Sequence, residues 1–188
     1  MSGLTDGAIT SSLAITDAAG NTATVTGTSA TLDQTADGAP AATLTLADTL
    51  IGAAEAEAVS FTVAGLDSDA TAVASFTDGT DTVTANVTKD GADTVDLSGL
   101  TDGAITSSLA ITDAAGNTAT VTGTSVTLDQ AAPATPTVAF ATETGATATL
   151  SSDKTLAISA ETGGTVTVFI NGEAAGTATE SAAAGAYT

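Results

Sequence analysis

The stretch "SGLTDGAITSSLAITDAAGNTATVTGTS", residues 98–125, holds two runs of alternating apolar and polar residues on either side of the turn sequence "DAAGN". Alternation with a period of two between turn residues is typical of an antiparallel strand pair with one buried face. Residues 2–34 repeat residues 98–130 with one difference, Ala30 in place of Val126. A near-identical repeat within 188 residues predicts tandem modules of fewer than about one hundred residues.

Residues 41–130 extend this pattern into seven predicted strands. Their inward positions, in chain order, are Leu44 and Leu46, then Val59, Phe61 and Val63, then a strand ending at Phe76, then Val83, Ala85 and Val87, then Val95 and Leu97, then Ile105, Leu109 and Ile111, and finally Val121, Val126 and Leu128. Strands at spacings of about 8–12 residues are typical of an immunoglobulin-like sandwich of two antiparallel sheets. We therefore predict an all-β fold of tandem immunoglobulin-like antiparallel β-sandwiches.

The last predicted strand changes its inward face. Val121 lies at an odd position, whereas Val126 and Leu128 lie at even ones, so a β-bulge near Gly123 is predicted to restore the alternation. The chain has no cysteine and no tryptophan, and we expect a small, aliphatic core.

The repeat also predicts how the modules divide the chain. Residues 1–36 are the C-terminal strands of a preceding immunoglobulin-like repeat, residues 37–131 are a complete repeat, and residues 132–188 are the N-terminal part of a following one. Within the last part, Asn171-Gly172 predicts a tight hairpin. The acidic stretch "ADTLIGAAEAEA", residues 47–58, is expected to form a loop between the first two strands of the complete repeat.

Composition excludes several function classes. The chain has no histidine or cysteine, so it lacks imidazole and thiolate ligands, a histidine general base and any disulfide. Two lysines oppose 22 acidic residues, and the formal net charge of −20 has the wrong sign for nucleic acid or anionic lipid. No apolar run of 18 residues and no export leader is seen, so direct membrane insertion is not expected. The charge points to cations as partners.

Three phrases carry a resemblance to a known family: "ITDAAGNTATVTGTSVTLDQ", "VSFTVAGLDSDATAVASFTDGTDTVT" and "VDLSGLTDG". They resemble the bacterial immunoglobulin-like repeats of giant secreted adhesins of the repeats-in-toxin and biofilm-associated types. The resemblance implies an extracellular stalk at the bacterial cell surface, in contact with neighbouring repeats of the same chain and often stiffened by calcium at the junctions. The linker "DQTADGAP", residues 33–40, departs from the usual run of threonines before proline.

The positions of the acidic residues support calcium independently. Alternating strand directions bring the loops after the second, fourth and sixth strands to the end where the linker enters, and the other loops to the opposite end. Carboxylates about 4 Å apart in water repel by about 1 kcal/mol, and calcium accepts six to eight oxygen ligands from such loops. The predicted metal ligands are Asp33, Asp37, Asp67, Asp69, Asp113 and Asn117 at the incoming end, and Asp102 and Asp129 at the outgoing end. Acidic turns that only maintain solubility are the alternative.

Two roles remain open. We expect a structural spacer without catalysis, because a ligand-binding module would need an aromatic patch or an individual loop and only 3% of the residues are aromatic. A β-sandwich that binds a glycan or a surface is the alternative. Glu55 and Glu57 are expected to be solvated loop residues rather than a catalytic pair. Finally, the strands of residues 1–36 could complete the partial module of another copy by strand complementation.

Overall fold

The computed structural model describes residues 3–36, 41–141, 155–181 and 183–187. Contacts divide the chain into two compact units, residues 1–130 and 131–188, and each is described by itself. The predicted all-β architecture is confirmed, since the regular elements of the described residues are β-strands, antiparallel in every pair but one, and a single helix of four residues. Among the same residues no helix has the length and apolar character needed to cross a membrane. The predicted division into three parts stays a prediction.

The first copy of the repeat forms four short strands: β1 (Gly7–Ile9), β2 (Ser12–Thr16), β3 (Thr22–Thr26) and β4 (Ala30–Leu32). β1 pairs antiparallel with β4, and β2 pairs antiparallel with β3 across the turn "DAAGN". The apolar face of the β2–β3 hairpin is open, because Leu13, Ile15 and Val25 are 57%, 59% and 58% exposed.

Residues 41–130, called the central domain below, form two sheets that face each other across one core. Its elements are β5 (Thr43–Leu46), β6 (Leu50–Gly52), α1 (Ala53–Ala56), β7 (Val59–Ala64), β8 (Thr71–Thr77), β9 (Thr82–Val87), β10 (Gly91–Val95), β11 (Gly103–Thr112), β12 (Thr118–Thr122) and β13 (Val126–Asp129). One sheet has the order β10-β7-β5, and the other has the order β6-β13-β11-β8-β9 with β12 also on β11. The seven predicted strands are all present.

The predicted bulge is confirmed between β12 and β13. Ile105 pairs with Val126 and Ser108 pairs with Thr122, so two residues of β11 face three residues of the last strand. Gly123 is needed there because an added Cβ would collide with Ser107 Oγ and lie 3.0 Å from Leu44. The bulge lets Val121 and Val126 share one inward face despite their opposite parity.

The core lies between the two sheets and is aliphatic except for one aromatic pair. The rings of Phe61 on β7 and Phe76 on β8 lie 5.3 Å apart between centroids and are tilted by 56°. Such pairs add about 0.5–1.5 kcal/mol beyond the burial of their area. Leu109 and Ile111 of β11 are 0% and 1% exposed and pack in the same cluster.

The acidic stretch after β5 was expected to be a loop, and this prediction was wrong in part. It contains β6, which pairs parallel with β13, and the single helical turn α1. Ala56 is fully buried, and its carbonyl accepts a hydrogen bond from the Leu97 amide at 2.7 Å. The three residues of β6 are too few to show an alternating pattern in the sequence. The strand is stabilised by its pairing with β13. Glu55 and Glu57 are exposed, as expected.

Residues 131–188 contain β14 (Thr137–Phe140), β15 (Leu156–Ser159), β16 (Val166–Ile170), β17 (Glu173–Ala178) and β18 (Ala186–Tyr187). β14, β15 and β18 form one antiparallel sheet in that order, and β16 and β17 form a hairpin. The predicted turn is confirmed: Asn171 and Gly172 have φ values of 52° and 86°, as a two-residue hairpin loop of positive φ requires.

Candidate module junctions

The turn "DAAGN" after β11 is closed by one carboxylate. Asp113 is 7% exposed; its Oδ1 accepts a hydrogen bond from the Asn117 amide at 2.8 Å, and its Oδ2 accepts one from Asn117 Nδ2 at 2.7 Å. The first copy repeats the arrangement, with Asp17 accepting both hydrogen bonds from Asn21 at 2.8 Å. The turn sequence therefore fixes its own geometry in either surrounding.

Asn117 also contacts the segment that enters the central domain. Its Nδ2 donates to the backbone carbonyl of Asp33 at 3.1 Å, a contact between residues 84 positions apart. Three residues later Ala36 is 4% exposed and belongs to the core cluster of the central domain. One asparagine side chain thus joins the turn after β11 to the segment that follows β4.

Two opposing effects act on the Asp113 carboxyl group. Burial raises its pKa, whereas the hydrogen bonds from the Asn117 side chain and from the amides of Asn117, Gly116 and Ala115 lower it. The net effect lowers the pKa below its usual value of 3.8, so the group stays ionised at neutral pH. A negative charge therefore lies at the incoming junction.

Asp90 organises the loops beside this turn. Its two carboxylate oxygens accept hydrogen bonds from the amides of Gly65 and Leu66 at 2.9 and 2.8 Å, which ties the loop after β9 to the loop after β7. The pairing of Thr112 at the end of β11 with Thr71 at the start of β8 brings the turn after β11 to the same end, as the strand directions predicted. Asp90 was not among the predicted ligands.

A second set of contacts holds the outgoing segment. The Gln130 amide donates to Asp102 Oδ1 at 2.9 Å, and Gln130 Nε2 donates to the Leu100 carbonyl at 3.1 Å. In the first copy Gln34 Nε2 donates to the Leu4 carbonyl at 3.2 Å and to Asp6 Oδ1 at 3.0 Å. This glutamine contact was missed, although a glutamine conserved between the two copies at the border was a usable signal.

Asp78 holds two loops together at the same end. Its carboxylate accepts hydrogen bonds from the amides of Thr80, Asp81 and Thr101, each at 2.8 Å. These amides, that of Thr101 first, hold the pKa of Asp78 far below its usual value of 3.8. The loop after β8 is thereby fixed to the loop after β10.

The structure brings together some of the eight predicted ligands. Asp113, Asn117 and the carbonyl of Asp33 meet at the incoming end, whereas Asp102 and Asp129 lie at the outgoing end. Asp67 and Asp69 lie in the loop between β7 and β8, and Asp69 is exposed. Asp37 lies outside the described residues. Within the described ranges, no three acidic, histidine or cysteine side chains group as a metal site would require.

Comparison with known proteins gives one family match. Residues 59–130 match the family model described as "Bacterial Ig-like domain". No curated protein sequence matched the chain.

Several solved structures are similar. A tetra-tandem repeat in the extending region of a large adhesion protein is 24% identical, with a TM-score of 0.40, over 85% of this chain and 40% of that one. A Ca2+-stabilized adhesin that helps an Antarctic bacterium reach out and bind ice is 29% identical, with a TM-score of 0.36. The match covers 96% of this chain and 48% of that one. A bacterial immunoglobulin-like domain from the M. primoryensis ice-binding adhesin is 27% identical, with a TM-score of 0.33. The match covers 46% of this chain and 96% of that one. The chain thus spans less than half the length of the first two.

Proposed function

We propose that this chain is a structural spacer in the stalk of an extracellular bacterial adhesin that serves cell adhesion or biofilm formation. The observation that carries the proposal is the hydrogen bond from Asn117 to the carbonyl of Asp33, which joins one module to the end of the preceding one. Both residues recur in the other copy, as Asn21 and Asp129. Each added module can therefore dock by the same contact, and the length of the stalk grows without new interactions.

The repeated contacts at the outgoing end support the same role. Each copy fixes its own border glutamine, Gln34 or Gln130, to the loop before its β1 or β11. The linker is therefore held at its start by its own module and, at Asp33, by the next. A spacer needs such a defined direction between modules, whereas a ligand-binding module needs loops that differ between copies.

Calcium is proposed as the ion that stiffens this junction. The two oxygens that Asn117 bridges, from the Asp113 carboxylate and the Asp33 carbonyl, are both calcium-type ligands, and Asp67 and Asp69 lie on a loop at the same end. The described side chains alone supply fewer oxygens than the six to eight that calcium takes, so Asp37 or water must contribute. A divalent cation would also offset part of the net charge of −20.

Relaxation measurements by NMR test the spacer role. In the unaltered chain, backbone amides of β2 and β3 are expected to tumble with those of the central domain. Asn117→Ala removes the contact with Asp33 and is expected to give the β2–β3 hairpin faster motion, independent of the central domain. The control Asn21→Ala removes the equivalent asparagine of the first copy but keeps the bond between Asn117 and Asp33, so the hairpin should still tumble with the central domain. Independent tumbling in the unaltered chain would contradict a fixed junction.

Thermal unfolding in EDTA and in about 10 mM calcium, with magnesium as the control, tests the ion. For a dissociation constant of about 0.1 mM, calcium at that level adds about 2.7 kcal/mol. A domain of this size should then melt about 10 °C higher or more. The gain should shrink in Asp113→Asn and persist in Asp102→Asn if the incoming junction binds the ion. An equal gain with magnesium, or none, would leave the carboxylates as solubility charges.

A further inference from the structure

The four strands at the ends of the two sheets of the central domain differ in how their free edges are protected. β6 has only three residues, and β10 carries Asp93. β5 is closed by Thr124, whose amide donates to the Leu44 carbonyl at 3.2 Å and whose Oγ1 accepts from the Leu46 amide at 2.8 Å. β9 has six residues without a charge or a proline, and no strand of the described residues pairs with its second edge. Proteins usually protect an edge of this length, so the edge of β9 is open to another strand.

The hydrogen bonds of the sheet decide which residues of β9 direct their backbone groups to this edge. The Ser107 carbonyl accepts from the Gly123 amide at 2.9 Å, so Ser107 turns its backbone groups toward the last strand and away from Phe76, which lies opposite on β8. Hydrogen-bonded and non-hydrogen-bonded pairs alternate along and across an antiparallel sheet. Phe76 therefore bonds to Val83 of β9. The even-numbered residues of β9, among them Thr84, direct their amides and carbonyls to the open edge.

Opposite charges lie just beyond the two ends of β9. Asp81 directly precedes the strand, Lys89 lies shortly after it, and both are exposed. Each lies four positions from Ala85, so in an antiparallel pairing centred on Ala85 the Asp81 of either copy lies opposite the Lys89 of the other. The chain has only two lysines against 22 acidic residues, and one of them stands where a second copy of the same strand would place a carboxylate. The charges around the edge therefore complement a second β9.

We propose that β9 of one copy pairs antiparallel with β9 of a second copy, with Ala85 on the twofold axis. Thr84 of either copy then lies opposite Asn86 of the other, and both direct their backbone groups to the shared edge, so the hydrogen bonds of the new strand pair form. Val83 lies opposite Val87 of the other copy, and the pairing covers Val83 and Ala85, which are half-buried in a single copy.

The other registers are less favourable. A shift by one residue opposes outward to inward backbone groups and exchanges the two faces of the strand. A shift by two residues keeps the hydrogen bonds but separates Asp81 from Lys89. The inference does not depend on the proposed function.

The twofold axis sets the form of the assembly. Both copies use the same strand, so the contact closes in a dimer. The two β9 strands run in opposite directions, so the incoming end of one central domain lies beside the outgoing end of the other. Copies attached by one end to two facing surfaces have this orientation, whereas copies side by side on one surface do not.

Sedimentation velocity of the full chain from about 1 to 300 µM, in about 0.15 M salt to screen the net charge of −20, tests the pairing. We expect a dimer whose fraction grows with concentration. A monomer throughout this range would overturn the proposal.

Charge reversal tests whether the two ends of β9 meet. Lys89→Asp places two carboxylates opposite each other at both ends of the pair, and Asp81→Lys places two ammonium groups there. Each single variant should therefore associate about tenfold more weakly than the unaltered chain. The double variant, Asp81→Lys with Lys89→Asp, keeps the net charge of −20 and should associate as the unaltered chain does.

Both side chains are exposed, and circular dichroism verifies that each variant is folded. An equimolar mixture of the two single variants should form a dimer, because opposite charges then face each other again. A single variant that associates as strongly as the unaltered chain, or a double variant as weak as the single ones, would overturn the proposal.

A single introduced cysteine reports the register, because the chain has none of its own. The Cα atoms of a non-hydrogen-bonded antiparallel pair lie about 4.5 Å apart, within the range of a disulfide. Ala85→Cys should therefore give a disulfide-linked dimer on mild oxidation. Thr82→Cys should not, because its two copies lie about 20 Å apart in this register. Thr82 is the more exposed of the two, so random collisions would favour the opposite result, and equal or stronger linking of Thr82→Cys would overturn the proposal.

Discussion

The two hairpins β2–β3 and β11–β12 have the same sequence but very different surroundings. Leu13 is 57% exposed, whereas its counterpart Leu109 is fully buried; Ile15 and Ile111 are 59% and 1% exposed. The strand register and the hydrogen bonds of the "DAAGN" turn are the same in both. Hairpin and turn are therefore properties of the local sequence, whereas burial depends on the strands that cover the hairpin.

The neighbouring strands also change where a strand begins and ends. β11 is a continuous strand of ten residues, but the same sequence in the first copy is broken into β1 and β2. β8 pairs with β11 from Thr106 to Thr112 and crosses the position of the break. A neighbouring strand thus keeps straight a segment that divides when one edge has no partner.

The largest contrast is expected from a leucine deletion in each hairpin. Leu109→Ala should lower the free energy of unfolding of the central domain by about 2–5 kcal/mol, because it leaves a cavity in the core. Leu13→Ala should change it by less than about 0.5 kcal/mol, because the side chain is mostly exposed. Urea unfolding at low protein concentration, with hydrogen exchange to assign the transition, measures both. Equal losses would mean that the first hairpin is buried to the same degree.

The glycine at the bulge gives a smaller contrast. Gly123→Ala should cost about 1–3 kcal/mol, because the new methyl group meets Leu44 and Ser107, and Ser107 Oγ is held by its hydrogen bond to the Thr124 carbonyl at 2.7 Å. At Gly27 the three atoms nearest to an added Cβ all belong to the exposed Ser11, whose hydrogen bond to the Thr28 carbonyl is longer, at 3.1 Å, so that Ser11 can move aside. Gly27→Ala should therefore be nearly neutral in the same urea experiment. A neutral Gly123→Ala would show that the bulge adjusts without cost.

The asparagines of the two turns differ by one hydrogen bond. Asn117→Ala removes the contacts with Asp113 and Asp33 and should cost about 1–2 kcal/mol, whereas Asn21→Ala should leave the central domain unchanged. Thermal unfolding followed by circular dichroism compares the two variants. If both melt alike, the side-chain bonds of Asn117 to Asp113 and Asp33 add nothing to the stability of the central domain.

The smallest expected effect is a change in how the stability of the central domain falls at acid pH. The pKa of Asp113 is lowered in the folded state, so its contribution to stability is complete above the unfolded pKa near 3.8 and is lost as the pH falls through the lower folded value. Between pH 5 and pH 3, Asp113→Asn should lose fewer degrees of melting temperature than the unaltered domain. The pKa of Asp17 is lowered too, but Asp17→Asn should leave the melting of the central domain unchanged. Parallel pH profiles for all three proteins would contradict this assignment.

Much of the fold could be predicted because its strands alternate over four or more residues. The parity change between Val121 and Val126 was sufficient to predict the bulge. β6 could not be predicted, because three residues carry no period and the strand exists through its pairing with β13. At the junction, the turn chemistry of Asp113 was readable, whereas the bond from Asn117 to a backbone carbonyl was not, because every residue has a carbonyl and only the fold selects Asp33.

The parallel pairing of β6 with β13 has a mechanical consequence. The chain enters the central domain ahead of β6 and leaves it after β13, and Leu50, Ile51 and Gly52 lie opposite Thr127, Leu128 and Asp129. Tension along the chain therefore pulls these two strands in opposite directions along their length. Their hydrogen bonds, with that from the Thr127 amide to the Thr49 carbonyl, are sheared together rather than opened one by one. Single-molecule stretching should find a higher rupture force for this domain than for one in which the same bonds unzip in turn.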